Sequence, residues 1–365
     1  MIKILYAIGK NNPKNVRSEL NGLKRAGFFI TIINQCDISQ KELLKKTKEL
    51  SASHDILIVS YSNEYPNKFI KSLKNVYTVH YTADDPYGSK VRSEPFVSSF
   101  DHSFSGAVMY NKKYSMTDMY KKWGAKMADW WPLGLYSSND PKIKIKDILK
   151  DRKIDLLHIG NPQNKTSRLL KIYKAFPDMV LCGNSFGIKG LLRTWYHVLF
   201  RKKDWHEGIN PFDPSLIKMF LFAKSVSEEE KNRLRKNAKI CLNMHQSSGP
   251  VNTRLFEIPA SGAMQVCDCI EGLGDVFKVG KEVIGYSSEE EAIGKIHYYL
   301  EHPEEGKKIA RAGYDRVIRD YKNIDCWKVA LEKVKTGMIK KGIKRFKDGT
   351  KICVNKKLLN KYKVN

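Results

Sequence analysis

The chain has 365 residues, is 42% hydrophobic and carries 65 Lys and Arg against 39 acids, for a formal net charge of +26. That length exceeds one ordinary core and suits two α/β domains, while the positive charge calls for an anionic partner. No apolar run reaches the roughly 18 residues a spanning helix needs, and the opening MIKILYAIGKNN lacks the form of a signal peptide, so a cytoplasmic location is expected.

Residues 2–8 read as a first strand, and 13–26 as a helix with Val16, Leu20 and Leu23 on one face, closed by Gly27. Strand-like runs at 28–33, 55–60 and 76–81 alternate with helical patterns at 39–50 and around 68–73. Alternation of this kind predicts βαβ units and a parallel sheet, which binds ligands beyond the carboxyl ends of its strands. Asp84, Asp85 and Pro86 fall at one such end. Residues 110–123 predict a helix stopped by Gly124, and the polar stretch 137–153 predicts a linker.

A second alternation starts with the strand 154–159, followed by Gly160-Asn161, a helix over 166–175, a strand over 179–182 and the turn Gly183-Asn184. Residues 186–214 interrupt it with large apolar residues and a cationic edge. They suit an interfacial helix or an inserted helix packed on the domain. Ser227-x-x-Glu230 and Ser287-x-x-Glu290 predict capping boxes. A helix over about 324–335 closes the second half. The expected domains are 1–140, 141–330 and a basic tail, 331–365, holding twelve Lys and Arg against two acids, a net of +10. Seven scattered cysteines suit neither a disulfide framework nor a metal site, and none is expected.

The most informative stretch is 238–268. The apolar run 240–244 predicts a buried strand, 245–250 a polar turn with Gly249 and Pro250, and Asn252 the opening of a helix that carries Arg254 and Glu257. Strand, tight turn and helix N-terminus hold phosphates through backbone N–H groups, and an arginine adds a bidentate donor. A nucleoside diphosphate is the expected ligand. Asn243 inside the apolar run needs a polar partner, structural or ligand-borne. His245 at its end is a weaker candidate.

These residues carry a resemblance. Asn243, His245, Gly249-Pro250-Val251-Asn252-x-Arg254-x-Phe256-Glu257 and Ala260-x-Gly262 resemble the GT-B glycosyltransferases of the group-1 (family 4) type, nearest to the CgeB-like, spore-maturation-like branch. Asp84-Asp85-Pro86, Asp101-His102-x-Phe104 and the closing pattern from Gly280 to Val317 fit the same pattern, so the resemblance covers about residues 1–330. It implies two Rossmann-like domains facing each other across a cleft, and transfer of a sugar from a UDP or GDP donor, retaining and without a metal or other cofactor. The acceptor it implies is a surface glycan, a lipid-linked precursor or a protein. Glu257 matches the second glutamate of the family's Glu-x7-Glu motif, implying a ribose contact; the first would fall at Gly249 and is missing. Gly160 and Asn161 match the loop that clamps the diphosphate, with Lys165 and Arg168 as its cations and Gly183 beside the next strand. Asp84 and Asp85 would take the acceptor's proton or orient the acceptor. The basic tail and the 186–203 segment would dock on an anionic membrane face. The rival is a non-catalytic scaffold of the same fold on an anionic polymer or membrane; nucleic acid is not expected, because no nucleic-acid module is present.

Overall fold

In a computed structural model, the described residues are 2–9, 23–24, 27–60, 62–83, 85–132, 134–135, 148, 150–201, 208–245 and 252–343. Asp84, Gly249, Pro250, most of the helix expected over 13–26 and the tail beyond Ile343 therefore lie outside the described residues. The chain forms two compact units. One comprises Met1–Ser138, Ser247–Thr253 and Asp320–Asn365, the other Asn139–Gln246 and Arg254–Arg319.

The first unit is built on a parallel sheet of β1 (Lys3–Ile8), β2 (Phe29–Asn34), β3 (Ile56–Ser60), β4 (Tyr77–Thr82), β5 (His102–Ser105) and β6 (Ala128–Trp130) in the order β2-β1-β3-β4-β5-β6. Side chains alternate across it: Ile4, Tyr6 and Ile58 enter one core, Leu5, Ala7 and Leu57 the other. Both faces are buried, as a parallel sheet requires. The first of these cores is completed from far along the chain. Trp327, Leu331, Val334 and Met338 of the Asn323–Lys340 helix recur at helical spacing and pack on it. Lys333 pairs with Asp129 at 2.7 Å and Lys341 with Asp101 at 2.6 Å. Gly337 lies so close to the Tyr77 hydroxyl that a Cβ there would overlap it.

This helix corrects the expected domain limits. Residues 324–335 belong to the first unit rather than the second, and 331–340 are helix with a buried apolar stripe rather than basic tail. A stripe of apolar residues announces burial but not the sheet that receives it. Two smaller corrections are local. The helix expected over 110–123 is only Met116–Lys122, because the Asn111 side chain accepts from the Lys113 and Tyr114 amides and holds a turn before the Ser115 cap. The cap expected at Ser287 is Ser288, which accepts from the Glu291 amide at 3.1 Å, while Glu291 reaches back to the Ser287 amide.

The second unit is a parallel sheet of β7 (Ile154–Ile159), β8 (Val180–Cys182), β9 (Ala238–Asn243), β10 (Met264–Asp268) and β11 (Ile284–Tyr286) in the order β11-β10-β9-β7-β8. Between β8 and β9 the chain runs through the Ile188–Tyr196 helix, a π-helical turn (His197–Arg201) and the Pro214–Phe222 and Glu228–Asn237 helices. The Ser227 hydroxyl caps the last of these on the Glu230 amide, as expected. The described halves are thus two Rossmann-like α/β units.

Candidate functional site

The carboxyl ends of β7, β8, β9 and β10 gather most of the residues singled out in the second half of the sequence. Gly160 follows β7 and donates to the Cys182 carbonyl at 2.8 Å; Gly183 follows β8 and donates to the Lys224 carbonyl at 3.0 Å. A Cβ at Gly183 would lie 2.5 Å from the Gly160 oxygen, and one at Gly160 would overlap Arg254 Nη1. Close approach is what both positions require of glycine. Asn161 Oδ1 accepts from the Ser185 amide at 3.1 Å and ties the two loops together.

Two cations meet here. Lys165 is 1% exposed and its Nζ donates to the Met244 carbonyl at 2.8 Å. Arg254 Nη2 donates to the same oxygen at 3.0 Å and Nη1 to the Ile159 carbonyl at 2.7 Å. Among the described residues no carboxylate pairs with either one. Burial first, then Arg254, pushes the Lys165 ammonium well below its ordinary pKa. A buried cation with only a carbonyl partner is costly, and an anion is what would relieve it. Arg168 differs: its Nε bonds Glu289 at 2.6 Å and its Nη1 lies 3.4 Å from Asp268, so it spans two acids.

His245 and His158 border this group. The His245 amide and ring Nδ1 both donate to Asp268, at 2.9 and 2.7 Å, and His158 Nδ1 donates to the Leu242 carbonyl at 3.0 Å. Both Nε2 atoms are buried without a hydrogen-bond partner among the described residues. Burial holds both imidazoles below their ordinary pKa. Lys165 and Arg254 push His158 further down, whereas Asp268 partly restores His245. Burial would raise Asp268, but His245 and Arg168 bring it below the usual carboxylate range. As neutral rings the two Nε2 atoms accept a hydroxyl; once an anion raises their pKa they donate to it. His158 and Asp268 were missed in the sequence, although both sit at or near strand carboxyl ends, where ligands of such sheets bind.

His245, Cys267 and Asp268 also lie close enough to hold a metal ion. Burial and Asp268 drive the Cys267 thiol well above its ordinary pKa, and the Asp268 oxygens already take the His245 N–H groups. The neutral thiol and the engaged carboxylate make this a hydrogen-bond network.

The remaining candidates fall into place unevenly. Asn243 is buried in β9 and donates to Gln265 at 3.4 Å, while Asn252 is half-buried. Glu257 is 8% exposed and its Oε2 accepts from Arg235 at 2.7 Å, a buried pair that anchors the Arg254–Ala260 helix one turn below Arg254. In the first unit Asp85 is fully buried. Its Oδ2 accepts from Ser93 at 2.7 Å and from Tyr120, and burial lifts its pKa to about 6 against those two bonds. This carboxyl is enclosed by Ser93, Tyr120 and a His80 held by burial at about 3. The structure therefore places Asp85 inside the first unit, with Oδ2 in this network and Oδ1 buried without a hydrogen-bond partner among the described residues, rather than on an open loop as expected for an acceptor contact.

A glycosyl transferase-like family model matches residues 183–331. No curated protein matches the chain. Among solved structures it is similar to Anabaena HepE in complex with UDP and glucose, at 11% identity and a TM-score of 0.65, covering 92% of this chain and 100% of that one. A glycosyltransferase from Rickettsia africae matches at 11% identity and 0.63, covering 93% and 99%. Sucrose-phosphate synthase from Thermosynechococcus elongatus matches at 11% and 0.59, covering 93% and 100%. At such identities the likeness establishes the fold, that of the GT-B glycosyltransferases with two Rossmann-like parallel-sheet units.

Proposed function

We propose that the protein is a glycosyltransferase that takes a sugar from a nucleoside-diphosphate donor, UDP- or GDP-linked, and that it belongs to the CgeB-like branch. The observation that carries this is the meeting of Lys165 and Arg254 on one carbonyl, without a carboxylate partner, beside Gly160 and Gly183. The diphosphate is the anion that completes that charge. Transfer then breaks the bond between the anomeric carbon and the diphosphate oxygen, forms one to an acceptor hydroxyl oxygen, and passes the hydroxyl proton to the departing phosphate. Lys165 and Arg254 stabilise the charge developing on that phosphate, which removes the need for a divalent ion. Proton capture by the leaving group fits a retaining reaction. The acceptor is a glycan, a lipid-linked precursor or a protein. Arg168, held by Glu289 and Asp268, positions the loop ends. The ribose contact implied for Glu257 requires its pair with Arg235 to turn a carboxylate oxygen outward on binding.

Calorimetric titration with UDP and GDP tests the reading: one of them binds, and a panel of nucleotide sugars releases that diphosphate. Binding by neither ends the proposal. The net charge of +26 and the paired Glu257 favour a second reading, a non-catalytic scaffold on an anionic polymer. Such a scaffold would bind polyanion with an affinity that falls steeply with salt and would release no diphosphate from any donor.

A further inference from the structure

The Ile188–Tyr196 and Pro214–Phe222 helices run antiparallel, pinned at one end by the Gly187 amide on the Phe220 carbonyl, at 2.8 Å. At the other end Trp195 Nε1 donates to the Pro211 carbonyl at 2.6 Å. Their inner residues, Leu191, Leu216, Met219 and Phe220, fill the core of the second unit. Outside, Ile188, Leu192 and Tyr196 recur every fourth residue and are 64%, 55% and 48% exposed. Phe200 on the π-helical turn is 73% exposed, and Phe212 and Phe222 are 68% and 72% exposed. A soluble surface rarely gathers so many large apolar side chains. The three segments, IKGLLRTWY, HVLFR and PSLIKMFLF, contain Lys189, Arg193, Arg201 and Lys218 and no acid, and Lys202 and Lys203 follow in the sequence. Apolar side chains flanked by these cations, with the neighbouring Asp213 already paired to Lys174 at 2.6 Å and Asp204 and Glu207 following Lys203 in the sequence, are complementary to a surface that is apolar inside and negative at its edge. No described helix is long and apolar enough to cross a membrane, so any membrane contact of this hairpin would be interfacial.

We infer that this helical hairpin is a membrane-docking face that seats the second unit on an anionic lipid bilayer. Ile188, Leu192, Tyr196 and Phe200 enter the headgroup boundary, while Lys189, Arg193, Arg201 and Lys218 meet lipid phosphates. The loop leading into it, through Ser185, bonds Asn161, so the docked face is continuous in sequence with the candidate donor loop. Docking is independent of the transfer reaction and stands or falls without it.

The experiment is co-sedimentation of the full chain with vesicles of phosphatidylglycerol and phosphatidylcholine mixed, against phosphatidylcholine alone, for wild type and the double variant Leu192→Asp, Phe200→Asp. Wild type is expected to sediment with the anionic vesicles, and the variant to lose about tenfold in apparent affinity with its melting temperature and UDP response unchanged. Equal sedimentation of variant and wild type would assign any binding to the basic tail and overturn the inference. So would failure of wild type to bind either vesicle. A wild type that dimerises in ultracentrifugation, with the variant monomeric and vesicle binding unaltered, would assign the face to a second copy instead. Failure of wild type to bind UDP or GDP, with vesicle binding intact, would count against the proposed function alone.

Discussion

The two units treat buried charge in opposite ways. In the first, ionisable groups at the amino end of β5, within β6 and just after β4 are matched or silenced. Asp101 takes Lys341 and Lys126, Asp129 takes Lys333 and His102, and Asp85 is sealed under Ser93 and Tyr120. In the second, Lys165 and Arg254 share a carbonyl and, among the described residues, pair with no carboxylate. A balanced network serves the fold, whereas an unbalanced one lowers stability until something else supplies the counter-charge. That imbalance is the observation on which the proposed donor site rests.

The largest expected effect tests the silent side of the contrast. Asp85 has its pKa raised by burial from 3.8 to about 6, so the folded state holds a proton that the unfolded state has lost between those values. Its contribution to stability is greatest below pH 3.8, falls as pH rises towards 6 and is flat above, a loss of about 3 kcal/mol. Asp85→Asn should abolish that fall, so urea midpoints at pH 4 and pH 7 converge relative to wild type. If both proteins keep the same slope, the carboxyl is not buried in the way described. Ligand affinity should stay at the wild-type value, because Asp85 belongs to the fold.

Lys165→Met tests the unbalanced side. Methionine fills a similar volume without the desolvated charge, so the unliganded variant should melt at or above wild type. Loss of one charged contact to the diphosphate should weaken nucleotide binding by about a hundredfold, or about 2.7 kcal/mol. A variant that is less stable and binds as well would make Lys165 a structural ammonium and remove the main support for the donor site.

Much of the fold was legible because hydrophobic periodicity is a local signal. Strands 154–159 and 240–244 and the Thr166–Ala175 helix announce themselves through it. Strand β5 did not, because three of its four buried residues, His102, Ser103 and Ser105, are polar and leave Phe104 as the one apolar signal. The return of the Asn323–Lys340 helix to the first sheet was invisible for another reason: long-range packing leaves no local trace. The site was half legible. His245 and Arg254 follow from strand-end position and the turn before a helix, Gly160, Lys165 and Gly183 from the family resemblance, and the structure brings these residues near one another. The commitment of Glu257 to Arg235 and of His245 to Asp268 depends on side chains 22 and 23 positions apart in the chain.

The smallest effect is the sharpest geometrically. Gly160 has no Cβ, and the guanidinium of Arg254 occupies the space one would take, with His158 Nε2 3.2 Å from the same point. Gly160→Ala must therefore push Arg254 off the Ile159 carbonyl or shift the loop, while the sheet beneath keeps its backbone bonds. Displacing one cation while Lys165 stays should weaken nucleotide binding by about tenfold, or about 1.4 kcal/mol, with the melting temperature changed by only a few degrees. Arg254→Ala in the same background should then add little, because the alanine has already moved the group it removes. Full additivity of the two losses would mean that Gly160 acts on the ligand by itself, through its own backbone, and that the contact between this loop and Arg254 is incidental to binding.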